Sequence, residues 1–88
     1  MSKYLEYFCV IKHLEKKDVI DKPILSTRLP HSASLFYSMS FQHHGSNGIL
    51  VFPVVILNNI HCIRLATLKI HAHIFNFDIE DIIKNCST

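Results

Sequence analysis

Ile49-Leu50-Val51-Phe52-Pro53-Val54-Val55-Ile56-Leu57 runs for nine residues without a polar side chain, and its reading decides the fold. Such a run spans about 30 Å as a strand and only about 14 Å as a helix. Crossing a bilayer core of about 30 Å takes about 20 helical residues, so no membrane-spanning segment is expected here. Pro53 breaks a helix by removing an N–H and clashing with the preceding turn. Val51, Val54, Val55 and Ile56 are β-branched and favour the extended chain. The stretch therefore predicts a strand, buried on both faces, whose edge at Pro53 is bulged or faces solvent.

Upstream, 35–42 alternates cleanly, with Leu35, Tyr37, Met39 and Phe41 on one side and Phe36, Ser38, Ser40 and Gln42 on the other. Between the two runs lies His43-His44-Gly45-Ser46-Asn47-Gly48, where Asn-Gly supplies the positive φ of a tight reversal. An antiparallel hairpin 35–42/49–57 follows.

Downstream, Asn58-Asn59 suits a second reversal because asparagine tolerates left-handed geometry. One or two further strands are expected within 60–77. Ile63 and Leu65 share a face, then the alternation changes phase at Leu68, Ile70, Ala72 and Ile74, and again at Phe75, Phe77 and Ile79. Each slip requires a bulge or break. The competing reading is a helix from Ile60 to Ile74. Asp78 then caps a short terminal helix with Ile79, Ile82, Ile83 and Cys86 on one face, and Glu80 and Asp81 in its first turn.

At the other end, Tyr4, Tyr7, Phe8, Ile11 and Leu14 recur at helical spacing, predicting a helix over 2–17 capped by Ser2 and closed by Lys16 and Lys17. The proline- and serine-bearing stretch 18–34 reads as a connector loop with room for a short extended piece at Ile24-Leu25, and Arg28 upstream of Ser32 as a weak basophilic-kinase pattern. The whole is one small domain, 1–88, of α+β class: a small antiparallel sheet with an N-terminal and a short C-terminal helix.

A chain of 88 residues buries about 60–65% of its unfolded surface, leaving little stability to spare. Its 49% hydrophobic and 18% charged content leaves apolar surface that a second copy or a protein partner would share. A net charge of +2 points to neither nucleic acid nor an anionic surface. Cys9, Cys62 and Cys86 are odd in number and widely spaced, matching neither a disulfide framework nor a zinc ribbon. With no secretory signal pattern at the N-terminus, the cysteines fit an intracellular, reducing compartment, cytoplasmic or nuclear.

Among candidate sites, His71-x-His73 places two imidazoles on one face of a strand, and His61 or Cys62 would add a third ligand for a zinc-type ion. His43 and His44 offer the same from the turn, and seven histidines in 88 residues also bring such pairs together by composition alone. Cys62 and Cys86 read as small buried hydrophobes. Asp78, Glu80 and Asp81 read as helix-start chemistry and not as general acids. Lys12, Lys16, Lys17, Lys22 and Arg28 make a modest basic patch without interleaved aromatics. No cofactor-binding loop is present, and no catalytic residue is assigned.

The leading functional expectation is a non-enzymatic interaction protein that self-associates or docks through apolar sheet surface, with Phe36, Phe75 and Phe77 as interface residues. A histidine-dependent metal binder and a weak nucleic-acid or anionic-surface binder using the N-terminal lysines are the alternatives. Twelve isoleucines and no tryptophan also fit a chain with no evolved biochemical role.

Overall fold

The structure, a computed structural model, describes residues 3–28 and 36–86, with side chains over 3–21 and 36–86. In chain order the elements are β1 (Tyr4–Glu6), α1 (Tyr7–Lys16), β2 (Ile20–Arg28), β3 (Phe36–His43), β4 (Ile49–Leu57), β5 (Ile60–Arg64), α2 (Leu65–Phe75) and α3 (Ile79–Cys86). The five strands form one antiparallel sheet in the order β1-β5-β4-β3-β2. Strands β2 to β5 are a plain meander, and α1 carries the chain across the sheet from edge strand β1 to edge strand β2. This is the expected α+β architecture.

The hairpin β3/β4 pairs Phe36 with Val55 through Gln42 with Ile49. The N–H of His43 closes it on the Gly48 carbonyl at 2.9 Å. The positive φ of the turn sits at Gly45 (+76°) and not at Asn47-Gly48, as the sequence suggested. Gly48 is needed for another reason: a Cβ there would overlap the edge of the Phe75 ring. The second reversal is as expected, with Asn58 (φ 50°) and Asn59 (φ 66°) both left-handed, joining Leu57 to its partner Ile60.

Three expectations change. Residues 18–34 are not a connector loop throughout, because β2 occupies Ile20–Arg28. It is an edge strand with register shifts on either side of Pro23, and an edge is where a strand without that N–H is tolerated. Residues 29–35, with Ser32 and Leu35, lie outside the described residues, as does the Ser2 cap. The N-terminal helix starts later than expected, at Tyr7, because Tyr4–Glu6 pairs with Arg64, Ile63 and Cys62 as β1. The segment 60–74 is both strand and helix: the slip of phase after Arg64 is the change from β5 to α2.

Helix ends follow their residues. Asp18 (φ 56°) terminates α1, with Val19 N–H returning to Leu14 O at 2.9 Å and Asp18 N–H to Glu15 O at 3.1 Å. Left-handed Asn76 ends α2. The Asp78 carboxylate accepts from Asp81 N–H at 3.3 Å at the start of α3, the cap expected from the sequence.

The core lies on one face of the sheet. The row Leu5–Ile63–Val54–Tyr37 crosses four strands, and Leu50, Phe52, Val54 and Ile63 are fully buried with Val10, Leu14, Leu68 and Ile82 from the helices. Strand β4 is accordingly not buried on both faces: Ile49 (50% exposed), Val51 (42%) and Leu57 (39%) lie on the other side. The shortest Cα dimension, 19 Å, is that of a sheet with one helical layer.

Pro53 sits where β5 has stopped pairing with β4, since that register runs only from Leu57 to Val54. Its missing N–H points to this unpaired edge, so no ladder bond is lost, although the edge is covered by α2 and not open to solvent as the sequence suggested. Backbone groups two residues apart on a strand point to the same edge, so Val51 C=O points there too. Helix α2, continuing from β5, fills the gap.

The chain also closes on itself. Cys9 in α1 and Cys86 at the end of α3 form a disulfide, so the expectation of no disulfide framework is corrected, and with it the ground for a reducing compartment. The two cysteines are 77 positions apart and became neighbours only through the packing of α1 on α3. Among the described residues no helix is long and apolar enough to cross a membrane.

Candidate functional site

Sheet register defines the most prominent surface. Opposite the helical layer, Phe36 stands beside Val55, with Cys62 on the far side of Val55, Ser38 beside Pro53, Ser40 beside Val51, and Gln42 beside Ile49. Phe36 (44% exposed), Ile49, Val51, Leu57 and Ile60 (51%) make this outer face apolar and open. Tyr4, Phe36, Pro53, Val55, Arg64 and Thr67 enclose a shallow depression of about 290 Å³ within it. Cys62, a buried free thiol, is paired with Val55, and burial first and the Glu6 charge second push its pKa up. A raised pKa makes it a poor nucleophile at neutral pH.

One flank of α2 borders the same face. Thr67 reaches the depression, and His71 Nε2–H donates to Val51 O at 3.0 Å, satisfying the carbonyl that β5 leaves unpaired. Ile70 (59% exposed) and Ile74 (63%) follow Thr67 at three and seven residues, so they extend the apolar surface along that flank.

The histidines go to separate places. On α2, residues two apart are turned about 200° from each other, so the shared strand face proposed for His71 and His73 does not exist. His71 is half-buried against Phe52 (5.2 Å between ring centroids) and stacks on Phe75 (6.1 Å). Since Val51 O can only accept, His71 carries its proton on Nε2, and its buried Nδ1 has no partner. Burial lowers the His71 pKa, partly offset by that backbone bond. His73 is exposed. His61 lies on the inner side, its Nδ1 hydrogen-bonded to the Tyr37 hydroxyl at 3.0 Å, with Phe8 near its ring. Tyr37 helps burial push the Tyr7 phenol up to about 12.

In the turn, His43 Nδ1 meets Ser46 Oγ at 2.9 Å, and His44 donates to Asp21 at 3.0 Å, which raises the His44 pKa. Among the described residues no three His, Cys, Asp or Glu side chains converge as metal ligands would.

On the helical side, Asp81 faces His13 at 3.1 Å and Lys17 at 3.5 Å. Burial works against its charge, but Lys17 and His13 together hold it below the usual carboxylate range. Asp81 thus ties α3 to α1 in addition to its place in the helix start. These groups edge a cleft of about 280 Å³ floored by Leu14, Val19, Phe77 and Ile82. Lys12 and Lys16 are exposed on α1 and Lys17 just after it, and the side chains of Lys22 and Arg28 lie outside the described residues.

Of the three expected interface residues, only Phe36 is on the open face. Phe75 and Phe77 pack against the core, Phe75 under Gly48 and beside His43. Ile49, Val51 and Leu57 do not stand out in the sequence because an unbroken apolar run reads as buried on both sides, and Ile60 shares their face through its pairing with Leu57. The alternation of β3 held the signal: Ser38, Ser40 and Gln42 mark a solvent-side face, and the residues paired with them must share it.

No protein-family model, curated protein or solved structure matches the chain.

Proposed function

We propose that this is a non-enzymatic interaction protein that docks through the open face of its sheet. One observation carries the reading: five large apolar side chains, Phe36, Ile49, Val51, Leu57 and Ile60, stand exposed on one sheet face while the helices pack on the other. Contiguous apolar surface of this kind costs solubility, and on folded domains it marks contact sites. The histidines and carboxylates support a structural role instead of catalysis, since the described ones with a partner serve a turn, a cap, or a contact between helices, between strands or from helix to strand.

A photo-crosslinking amino acid at position 51 tests this in cells, with position 12 on the helical side as control. A defined adduct at 51, absent at 12 and lost in Phe36→Lys, is the expected result. Absence of a defined adduct at 51, or equal adducts at both positions, overturns the reading.

A further inference from the structure

We infer that the open face is closed by a second copy of this chain, two sheets packing face to face in a four-layer α-β-β-α sandwich. This rests on the interaction reading above and names its partner.

Area comes first. The two longer dimensions of the whole molecule are 35 × 30 Å, so the side it presents at the open face projects to on the order of 1,000 Å², and a stable interface takes about 800 Å² from each partner. A face of that size, apolar at its centre, matches one side of the aligned sheet sandwiches found inside single domains.

Charge selects among partners. In a two-fold contact a patch meets itself, so a face of single-sign charge would repel its own copy. The described residues of this face carry Glu6 and Arg64, of opposite sign, on the β1–β5 side, and Asp21, bonded to His44, at the β2 edge. Its middle columns are apolar on β4 and neutral on β3, where Ser38, Ser40 and Gln42 supply hydrogen-bonding groups without net charge. Nothing in that arrangement favours an acidic or basic partner, and nothing in it opposes self-contact.

The edges argue for face-to-face rather than edge-to-edge pairing. Strand β1 is only three residues long, and β2 is irregular around Pro23. The unpaired edge of β4 is closed by Pro53 and by the His71 bond to Val51. Short, proline-bearing and covered edges are those that resist strand addition.

Sedimentation of the purified, oxidised full chain from 5 to 500 μM, concentrations on the order of those where dimers of this interface size form, tests the inference. The expected outcome is a shift from one chain mass to two. Val51→Lys, at an already exposed position, weakens the dimer by at least roughly thirty-fold, as a central hot spot would. Ile49→Lys is the second variant and acts in the same direction. Phe8→Lys, on the exposed helical side, leaves the dimer unchanged.

A monomer at every concentration overturns the inference, as does a dimer that responds to Phe8→Lys and not to Val51→Lys. The position-51 crosslink separates the two levels. An adduct of another mass from a chain that is monomeric when pure removes the second copy and keeps the interaction reading, whereas a monomer without adduct removes both.

Discussion

His71 donates to the carbonyl oxygen of Val51 across 3.0 Å, joining α2 to β4 where β5 no longer reaches. The ring does so as a neutral imidazole, its bare Nδ1 buried between Phe52 and Phe75. Because burial lowers its folded-state pKa below 6.5, the unfolded chain binds the proton more tightly. Stability from this contact is therefore present above pH 6.5 and is lost as the pH falls toward the folded pKa. The melting temperature of the parent should drop between pH 7.5 and pH 5, and His71→Gln should flatten that slope. His44, raised by Asp21, has the opposite sign, but it is fully exposed and its effect is screened by solvent. An unchanged slope in His71→Gln would show that another group governs acid stability.

Val54 and Val55 are neighbours on opposite faces, one fully buried and one partly exposed. Val54→Asp places an unpaired carboxylate in the core at a cost of several kcal/mol, comparable to a total stability of about 5 kcal/mol, and should unfold the domain. Val55→Asp should cost about 1 kcal/mol, chiefly through strand propensity. Urea titration of the pair distinguishes a sheet covered on one side from one covered on both, since a two-sided core would lose both variants.

That pair also marks what was legible in the sequence. Periodicity in β3, the asparagine turn and the Asp78 cap were readable because each is local chemistry. The open side of β4 was not, because its nine apolar residues carry no alternation of their own, and the deciding information sat on the paired strand. Strand β1 was hidden by Tyr4, whose spacing to Tyr7 and Phe8 also fits the first turn of a helix. Strand β2 was hidden by Pro23, which reads as a breaker unless the strand is known to be at an edge. The histidine pair failed with the 60–74 assignment, since two-residue spacing unites side chains on a strand and separates them on a helix.

Gly48 and Phe75 should trade places in mutation. Gly48→Ala forces the Phe75 ring aside at a cost of about 1–3 kcal/mol. Phe75→Leu in the same chain should recover part of that loss by making room. Thermal melts of the two single variants and the double variant show the coupling, and strictly additive losses would place the strain elsewhere.

The Cys9–Cys86 bond spans 77 positions, and a loop that long constrains the unfolded chain by about 4 kcal/mol. Reduction should lower the melting temperature by roughly 15–30 °C for a domain of this size. Cys62→Ser should leave that response intact, because Cys62 is the free thiol. A melt insensitive to reductant would mean that α3 is held by Ile82 and the Asp81 contacts alone.

Zinc at pH 7.5 should move the melting temperature by no more in the parent than in a His71→Gln, His73→Gln double variant, because the helix divides the two rings. A shift of roughly ten degrees confined to the parent, the size expected at a hundredfold excess over Kd, would reinstate them as ligands.

The bond between Cys9 and Cys86 gives a protease a particular result. The exposed turn at His44 to Asn47 lies between the two bonded positions, so a backbone cut there does not release a fragment. The nicked chain would run as a single species on a non-reducing gel and as two pieces once thiol is added. With its old ends tethered and its new ends at the tip of the β3/β4 hairpin, it would be a rearranged chain order of the same molecule, made without altering the gene.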